Sequence, residues 1–186
     1  MFKTKLAVYV GLGLLILGAS RLNARTLSSE VIDAMTEAIQ DEYKAEQTYE
    51  AVLEDFGSVR PFKNIIKAER RHAGMLADLF EKYELEVPES VWDSANVPRF
   101  ESVAQACEAS VQAEKDNAAI YEGYLELDLP DDVREVFEYN MNASLNNHLP
   151  AFERCGSGCG GGNQGNRGTG TRGQGCGGCG NKAIND

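Results

Sequence analysis

The amino-acid sequence predicts an all-α protein, a four-helix bundle with a long crossover between its second and third helices. Three observations predict this fold: four segments with apolar residues at alternating steps of three and four, one long link with two prolines, and a repeat relating the first segment to the third. Such steps turn one face of each helix toward a core. We expect residues 27–153 to form the bundle, after a leader at 1–24 and before a flexible tail at 154–186 rich in glycine and cysteine.

The first 24 residues have the pattern of a secretory signal peptide. Lys3 and Lys5 precede an apolar run from Leu6 to Ala19, which is short for a membrane span. Cleavage after Ser20 or Ala24 would accompany export of the protein, to a bacterial periplasm or as a secreted protein, where disulfides form. The alternative is an uncleaved N-terminal anchor, and a membrane is an expected partner only in that case.

The first predicted helix begins at Ser28 or Ser29 and stops at Gly57. Serine is a good N-cap, and glycine is favoured just past a helix end. Its predicted buried face is Ile32, Met35, Ile39, Glu42, Glu46, Tyr49, Leu53 and Phe56.

The second predicted helix runs from about Ser58 to Tyr83, with Pro61 tolerated in its first turn. The link that follows, residues 84–102, shows no helical period and is long enough to cross from one end of a bundle to the other. The predicted buried face of this helix is Phe62, Ile65, Glu69, His72, Leu76, Leu79 and Tyr83.

The third predicted helix spans about Ser102 to Leu127, and the fourth opens at Pro130 with two acids in its first turn, where they suit the helix dipole. Pro150 is expected to kink or end the fourth helix near its last turn. The predicted buried faces are Ala104, Cys107, Val111, Glu114, Ala118, Tyr121 and Leu125 in the third helix, and Val133, Phe137, Met141, Ser144, His148 and Phe152 in the fourth.

An internal repeat supports two half-bundles facing each other. The stretch "EYKAEQTYEAVL" (Glu42–Leu53) aligns with "EKDNAAIYEGYL" (Glu114–Leu125), and a histidine follows each stretch in the next helix, His72 and His148. Two short-linked helix pairs joined by one long crossover is the ferritin-like plan of four-helix bundles.

Polar residues interrupt every one of these apolar faces: Glu42, then Glu69 with His72, then Glu114, then His148. Buried carboxylates that converge would repel one another and be costly to desolvate, and divalent cations are the simplest remedy. Glutamate and histidine are apt ligands for iron or manganese. The pattern predicts a metal site with these five residues as ligands. The alternative is that Glu69 pairs with a neighbouring arginine at the surface and His72 is an ordinary core histidine.

Three further residues lie on the same faces. Glu46 has no counterpart in the third helix, where Ala118 follows Glu114, so we interpret it as a boundary or paired residue. Tyr49 and Tyr121 are typical of core aromatics, and their hydroxyls would be near enough to reach the site or carry an electron.

The charge distribution favours cations over nucleic acid as partners. The net charge is −11, and residues 25–153 carry 28 of the 29 acidic residues but only 11 of the 18 basic ones. Such a body would repel phosphates. Most of these carboxylates are expected to form a solvated surface.

Residues 27–153 resemble the uncharacterised ferritin-like family called domain of unknown function 2202, through "DEYKAEQTYEAVLEDFGSVRPFKNIIKAERRHAGMLADLFEKYELEVP" and "ASLNNHLPAFE". Rubrerythrins and ferritins are more distant relatives. The resemblance implies a di-iron carboxylate site, with Glu42, Glu69, His72, Glu114 and His148 as ligands. Rubrerythrins and ferritins use such sites to oxidise ferrous iron or to reduce peroxide.

The resemblance has one gap. A full di-iron set has a second Glu-x-x-His motif in the fourth helix, and "SLNNH" places Leu145 where its glutamate belongs. Five ligands remain instead of six. This leaves either an open coordination position near Leu145, where oxygen or peroxide would bind, or a weaker site for a single metal.

The tail contains 13 of the 19 glycines and few apolar residues, so it cannot build a core. Cys155-x3-Cys159 and Cys176-x2-Cys179 have spacings typical of disulfides or of zinc, copper or iron sites, and free or transient thiols are the third alternative. Disulfides would form within each pair or between the pairs. Cys107, on the third helix, is interpreted as a small buried apolar residue.

Three functions are compatible with these features, and the last of them is a structural or interaction bundle that retains the metal site of the family without using it. The first is an exported di-iron oxidoreductase, a ferroxidase or a peroxidase, with iron as cofactor, manganese or zinc as alternatives, and peroxide or oxygen as a further partner. The second is a non-catalytic protein that sequesters or delivers metal through the bundle site and the tail cysteines. The sequence leaves the oligomeric state open, with a homo-oligomer as one outcome.

Overall fold

The structure, a computed structural model, describes residues 26–156. These residues form α1 (Ser29–Phe56), α2 (Phe62–Lys82), α3 (Val103–Tyr124), α4 (Asp131–Ala143) and α5 (Leu149–Gly156), with a π-helical turn, Ser144–His148, between α4 and α5. The predicted all-α fold is confirmed. The proposed signal segment, and the tail with Cys159, Cys176 and Cys179, lie outside the described residues. Within residues 26–156, no helix is both long and apolar enough to cross a bilayer.

Local sequence signals set the helix ends near their predicted positions. The Ser28 hydroxyl accepts the Val31 N–H at the start of α1 at 3.3 Å, and the Ser102 hydroxyl accepts the Gln105 N–H at the start of α3 at 3.2 Å. Gly57 follows α1 with φ of +77°, in the region that glycine adopts most readily. The caps satisfy backbone donors that a helix leaves unpaired at its N-terminus.

The helices pack as two pairs. α1 lies along α2, and α3 lies along α5 and the π-helical turn. The link between the pairs runs along α1, where the Gln40 side chain donates to the Glu89 carbonyl and Arg99 donates to the Ala51 carbonyl. Because Gln40 and Ala51 are eleven residues apart on one helix, the link crosses much of the bundle, as its length predicts.

The hydrophobic core is divided into two clusters, one toward each end of the bundle. The first includes Met35, Ile39, Leu76, Phe80, Val133 and Phe137, and the second includes Tyr49, Val52, Phe62, Ile66, Cys107 and Phe152. In sequence, the polar residues of each helix fall between its contributions to the two clusters. The fold therefore places a polar layer between two apolar ones.

The fourth helix departs from its predicted course in two ways. Pro150 does not end it, because the helix continues through α5 to Gly156. The π-helical turn immediately before Pro150 changes the hydrogen bonding there, with the Leu149 N–H bonded to the Ser144 carbonyl five residues back. In addition, the predicted face residue Met141 is half-buried while Asn140 is fully buried. In α3, the predicted face residue Ala104 is likewise exposed.

The predicted pairing of Cys155 with another tail cysteine is wrong. Cys107 is buried as predicted, but it is bonded to Cys155 and is not simply a small apolar residue. The two form a disulfide with a Cα–Cα distance of 5.9 Å. Cys155 lies in α5, two residues past the predicted end of the bundle at residue 153, and α5 packs on α3. Sequence spacing within the tail carries no information about this partner, because Cys107 is 48 residues away.

Candidate metal centre

Five side chains from the four helices meet between the two apolar clusters. Glu42 comes from α1, Glu69 and His72 from α2, Glu114 from α3 and His148 from the π-helical turn. None is more than 4% exposed. We call these five residues the Glu/His cluster. The structure thus brings together all five residues that the sequence pattern selects, and Glu69 is buried rather than paired at the surface with an arginine of the described residues.

Glu69 lies at the centre of the cluster and divides it into two similar halves. Its Oε2 atom is 3.0 Å from Nδ1 of His72, which is also 3.4 Å from Oε2 of Glu42. Its Oε1 atom is 3.1 Å from Nδ1 of His148, which is also 3.4 Å from Oε2 of Glu114. Each half therefore contains one imidazole, one carboxylate of its own and one oxygen of Glu69.

The imidazoles leave polar atoms unsatisfied. The Nε2 atom of His72 is buried without a hydrogen-bond partner among residues 26–156. The Nδ1 atom of His148 is close to two carboxylate oxygens, but it is aligned with neither well enough for a hydrogen bond. The two rings face each other with centroids 5.5 Å apart. Buried polar atoms are normally paired, so unpaired ones at the centre of a cluster call for another partner.

Two tyrosines bind the outer carboxylates across the bundle. The Tyr49 hydroxyl on α1 donates to Oε1 of Glu114 on α3 at 2.8 Å, and the Tyr121 hydroxyl on α3 donates to Oε1 of Glu42 on α1 at 2.7 Å. The internal repeat in the sequence thus corresponds to a reciprocal pair of hydrogen bonds. Each leaves the other carboxylate oxygen facing a histidine.

Asn140 is a site residue that the sequence analysis missed. Its side-chain N–H group donates to the Tyr121 hydroxyl at 3.1 Å and lies 3.3 Å from Oε1 of Glu42. A signal was available, since Asn140 is three residues after Phe137 and four before Ser144. It fits the helical period better than Met141, which an apolar criterion selects instead.

The π-helical turn determines which residue precedes His148 on the face toward the cluster. Ser144 is buried and donates a hydrogen bond to Asn117 on α3 at 2.9 Å, whereas Leu145 is only half-buried. A π-helical turn holds more residues than an α-helical one, so the residue four before His148 shares its face, not the residue three before it. The position where a sixth ligand is missing is therefore beside Ser144 rather than Leu145.

The carboxyl groups of the cluster differ in acidity. Burial raises the pKa of Glu42 to about 7, an effect that the neighbouring Glu69 charge strengthens and the His72 ring opposes. Burial also raises the pKa of Glu114. Burial acts in the same direction on Glu69, but the nearby His148 ring, together with the His72 ring that is hydrogen-bonded to Glu69, outweighs burial and lowers its pKa to about 2. The central carboxyl is thus the one held ionised.

The histidines hold protons in the metal-free protein. Burial alone would lower the pKa of His72, but Glu42 and Glu69 raise it to about 9. Burial likewise opposes the charge on His148, and Glu114 and Glu69 raise its pKa to about 10. At neutral pH two imidazolium protons therefore offset the negative charge of the carboxylates, in the role that cations would take.

Glu46 lies outside the cluster. Its Oε1 atom accepts a hydrogen bond from Nε of Arg70 at 2.7 Å, and Arg70 also approaches Glu50 at 3.5 Å. The interpretation of Glu46 as a paired residue at the edge of the bundle agrees with this geometry.

Two cavities reach the Glu/His cluster from different sides. The carboxylate-side cavity, of about 390 Å³, lies between α1 and α3 and is lined by Glu42, Glu69 and Glu114. The histidine-side cavity, of about 490 Å³, is lined by His72, His148, Tyr139 and asparagines of the fourth helix. The Tyr139 ring is 47% exposed and contacts the His72 ring edge-on, with centroids 5.9 Å apart.

Comparison with known proteins identifies relatives of this arrangement. A family model described as rubrerythrin matches residues 33–143, which include Glu42, Glu69, His72 and Glu114 but end before His148. A solved structure of a conserved hypothetical protein, rv2844, from Mycobacterium tuberculosis has a similar fold, with a TM-score of 0.59 and 16% sequence identity over 69% of this chain and 98% of that chain. No curated protein matches the sequence.

Proposed function

The chain belongs to the rubrerythrin family, and we propose that its Glu/His cluster binds iron and serves as the centre of an oxidoreductase acting on ferrous iron and peroxide. The observation that carries this proposal is the convergence of three carboxylates and two imidazoles, from all four helices, in a layer between two apolar clusters. Ion pairs buried this completely contribute little to stability by themselves. Their concentration in one place points to a ligand.

The residues present fit a divalent metal. Glu69, His72 and His148 can each offer one ligand atom such that the three atoms lie within 4.8 Å of one another. The unpaired Nδ1 of His148 is a buried nitrogen in need of a partner. Carboxylate and imidazole ligands suit iron, manganese and zinc.

The two halves of the cluster support a site for two ions. Glu42 and His72 would hold one ion and Glu114 and His148 the other, with one oxygen of Glu69 facing each half. Two divalent ions would replace the two imidazolium protons, and their four positive charges would more than offset the three carboxylates. Manganese or zinc would meet the same ligands.

Bound iron would supply the electron transfer that links oxidation of ferrous iron to reduction of peroxide. The chain's own residues prepare the site for it. Tyr49 and Tyr121 hold Glu114 and Glu42 in fixed orientations, and such outer hydrogen bonds typically contribute a factor of about 10 to 100 in metal affinity. Asn140 supports the Tyr121 hydroxyl, and Ser144 leaves space where a sixth ligand would stand.

We also propose that the protein is exported. Lys3, Lys5 and the apolar run that follows them support this, and so does the disulfide between Cys107 and Cys155, because such bonds persist mainly in oxidising compartments.

The proposal is tested by metal loading and iron oxidation. Purified protein loaded with ferrous iron without oxygen should bind close to two ions per chain, and peroxide should then oxidise them in a stopped-flow experiment. Glu69→Ala with His72→Ala should abolish loading. Glu46→Ala is the matched control, because Glu46 is one turn from Glu42 but outside the cluster.

Two results would decide against parts of this proposal. Iron loading that survives in the Glu69→Ala, His72→Ala double variant would show that the Glu/His cluster is not the metal site. Iron that loads normally but is oxidised by peroxide no faster than free ferrous iron would make the protein a metal-holding protein rather than an oxidoreductase.

A further inference from the structure

The carboxylate-side cavity has a size that the proposed chemistry does not require. Its volume of about 390 Å³ falls in the range of pockets for small organic molecules, about 300–1,000 Å³. A water molecule occupies about 30 Å³ of liquid, and peroxide or oxygen is of comparable size. A route for such oxidants would need only a small part of this space.

The walls of the cavity are mainly apolar. Ala45 on α1 and Ala109 and Ala113 on α3 line it, and their short side chains keep the two helices from filling the space between them. Pro98 and Phe100, from the link between α2 and α3, line it as well. The cavity thus combines an apolar wall with the three carboxylates of the Glu/His cluster.

The link is fixed where it borders the cavity. Arg99, between Pro98 and Phe100, donates to the Ala51 carbonyl at 3.2 Å and forms ion pairs at 3.0 Å with both Glu54 and Asp55. Phe100 packs against the second apolar cluster. These contacts hold this side of the cavity in place before any ligand arrives, which lowers the entropic cost of binding.

The charges around the cavity select against anions. Besides the three carboxylates at its inner wall, Asp41 and Asp116 line it. Lys44, the one cationic side chain among the described residues lining the cavity, lies 5.2 Å from the ring centroid of Trp92. Desolvating an anion next to this set would be unfavourable.

We propose that the carboxylate-side cavity is a binding site for a neutral, mainly apolar small organic molecule, held with one end beside the metal-binding carboxylates. The inference goes beyond the proposed iron chemistry. It rests on that chemistry only in assuming that the bound molecule lies next to metal ions held by the Glu/His cluster. Binding itself depends on the cavity and can be measured whether or not iron is oxidised.

The test is calorimetric titration of the manganese-loaded and the metal-free protein with primary alcohols from 1-butanol to 1-hexanol. Each added methylene should raise the affinity about fourfold, because each buries more apolar surface. 1-Hexanol should bind at one site per chain. Hexanoate, with a similar chain but a negative end, should bind at least about tenfold more weakly.

Two variants on the same helix locate the site. Ala113→Trp fills the cavity and should weaken 1-hexanol binding by about tenfold or more, because overpacking removes the space. Ala104→Trp adds the same side chain at an exposed position of α3 that is not among the residues lining the cavity, and should leave binding unchanged. Both variants should keep the manganese content of the unmodified protein, which shows that they fold.

The proposal is overturned if 1-hexanol shows no saturable binding to the unmodified protein, if affinity does not rise along the series, or if hexanoate binds as well as 1-hexanol. Equal binding by Ala113→Trp and the unmodified protein would also overturn it. These outcomes are distinct from failure of the metal site, which would appear as absent manganese while alcohol binding to the metal-free protein could still be observed.

Discussion

Each residue of the Glu/His cluster can be recognised individually in the sequence, because it is a glutamate or a histidine on a helical face that is otherwise apolar. Glu42, Glu69, His72, Glu114 and His148 are all recognisable in the sequence because burial of an ionisable group is costly and therefore rare without a purpose. Asn140 and Ser144 are less conspicuous, since small neutral polar residues are common on helix surfaces. Their roles depend on neighbours in other helices, which no single helix reveals.

Protonation of the two histidines predicts how metal binding depends on pH. The pKa values of about 9 for His72 and about 10 for His148 are above the ordinary histidine value, so both rings are protonated at pH 7.5 and a metal must displace those protons. Affinity should rise with pH through the neutral range and level off once both pKa values are passed. Below about pH 7, Glu42 adds a third proton and the dependence should steepen.

Calorimetric titration with manganese at pH 7.5, in buffers of different ionisation enthalpy, counts these protons. We expect a release of about two protons per fully loaded chain. Glu46→Ala should release the same number, because Glu46 bonds to Arg70 and not to the cluster. Manganese binding without proton release would show that the imidazoles keep their protons and are not ligands.

At the scale of secondary-structure elements, the sequence predicts helix ends well but not the π-helical turn. Serine caps and Gly57 act through contacts a few residues away, so they can be read from the sequence. The π-helical turn has no comparable local signal. It lets α4 and α5 each keep a buried face, with Phe137 and Asn140 before the turn, His148 as its last residue and Phe152 after it. Turns of this kind often occur at functional sites.

Deleting Asn146, an exposed residue within the π-helical turn, tests this role. Removal of one residue rotates α5 by about 100° relative to α4, so His148, Phe152 and Cys155 cannot all keep their positions. We expect the deletion variant to lose most of its manganese binding and to unfold at a lower temperature, measured by elemental analysis and circular dichroism.

Asn146→Ala removes the same side chain without changing the register and should retain both properties. A deletion variant that binds manganese like the unmodified protein would mean that the π-helical turn is not needed to place His148.

At the scale of the whole molecule, the disulfide joins the last helix to the third near one end of the bundle. Cys107 and Cys155 are 48 residues apart in sequence, and a closed loop of that length stabilises a protein by about 4 kcal/mol in the chain-entropy model. Replacing both cysteines by alanine should lower the free energy of unfolding by about that amount, measured by urea denaturation.

A reducing agent provides the matching comparison. It should lower the urea midpoint of the unmodified protein but not that of the Cys107→Ala, Cys155→Ala double variant. Cys159→Ala should respond to reduction like the unmodified protein. If reduction leaves the unmodified protein's midpoint unchanged, the bond between Cys107 and Cys155 does not contribute to stability in solution.

The sequence by itself determined the helical fold, the crossover and the five residues of the Glu/His cluster, because helical periodicity and the cost of buried charge are properties of single segments. Tertiary structure alone decided the crosswise tyrosine bonds, the hydrogen-bond partners of Asn140 and Ser144, the partner of Cys155 and the cavity between α1 and α3. Each of these depends on the distance and rotation between helices far apart in the chain. The packing of the two apolar clusters sets these distances and rotations, and no pattern within a single segment predicts them.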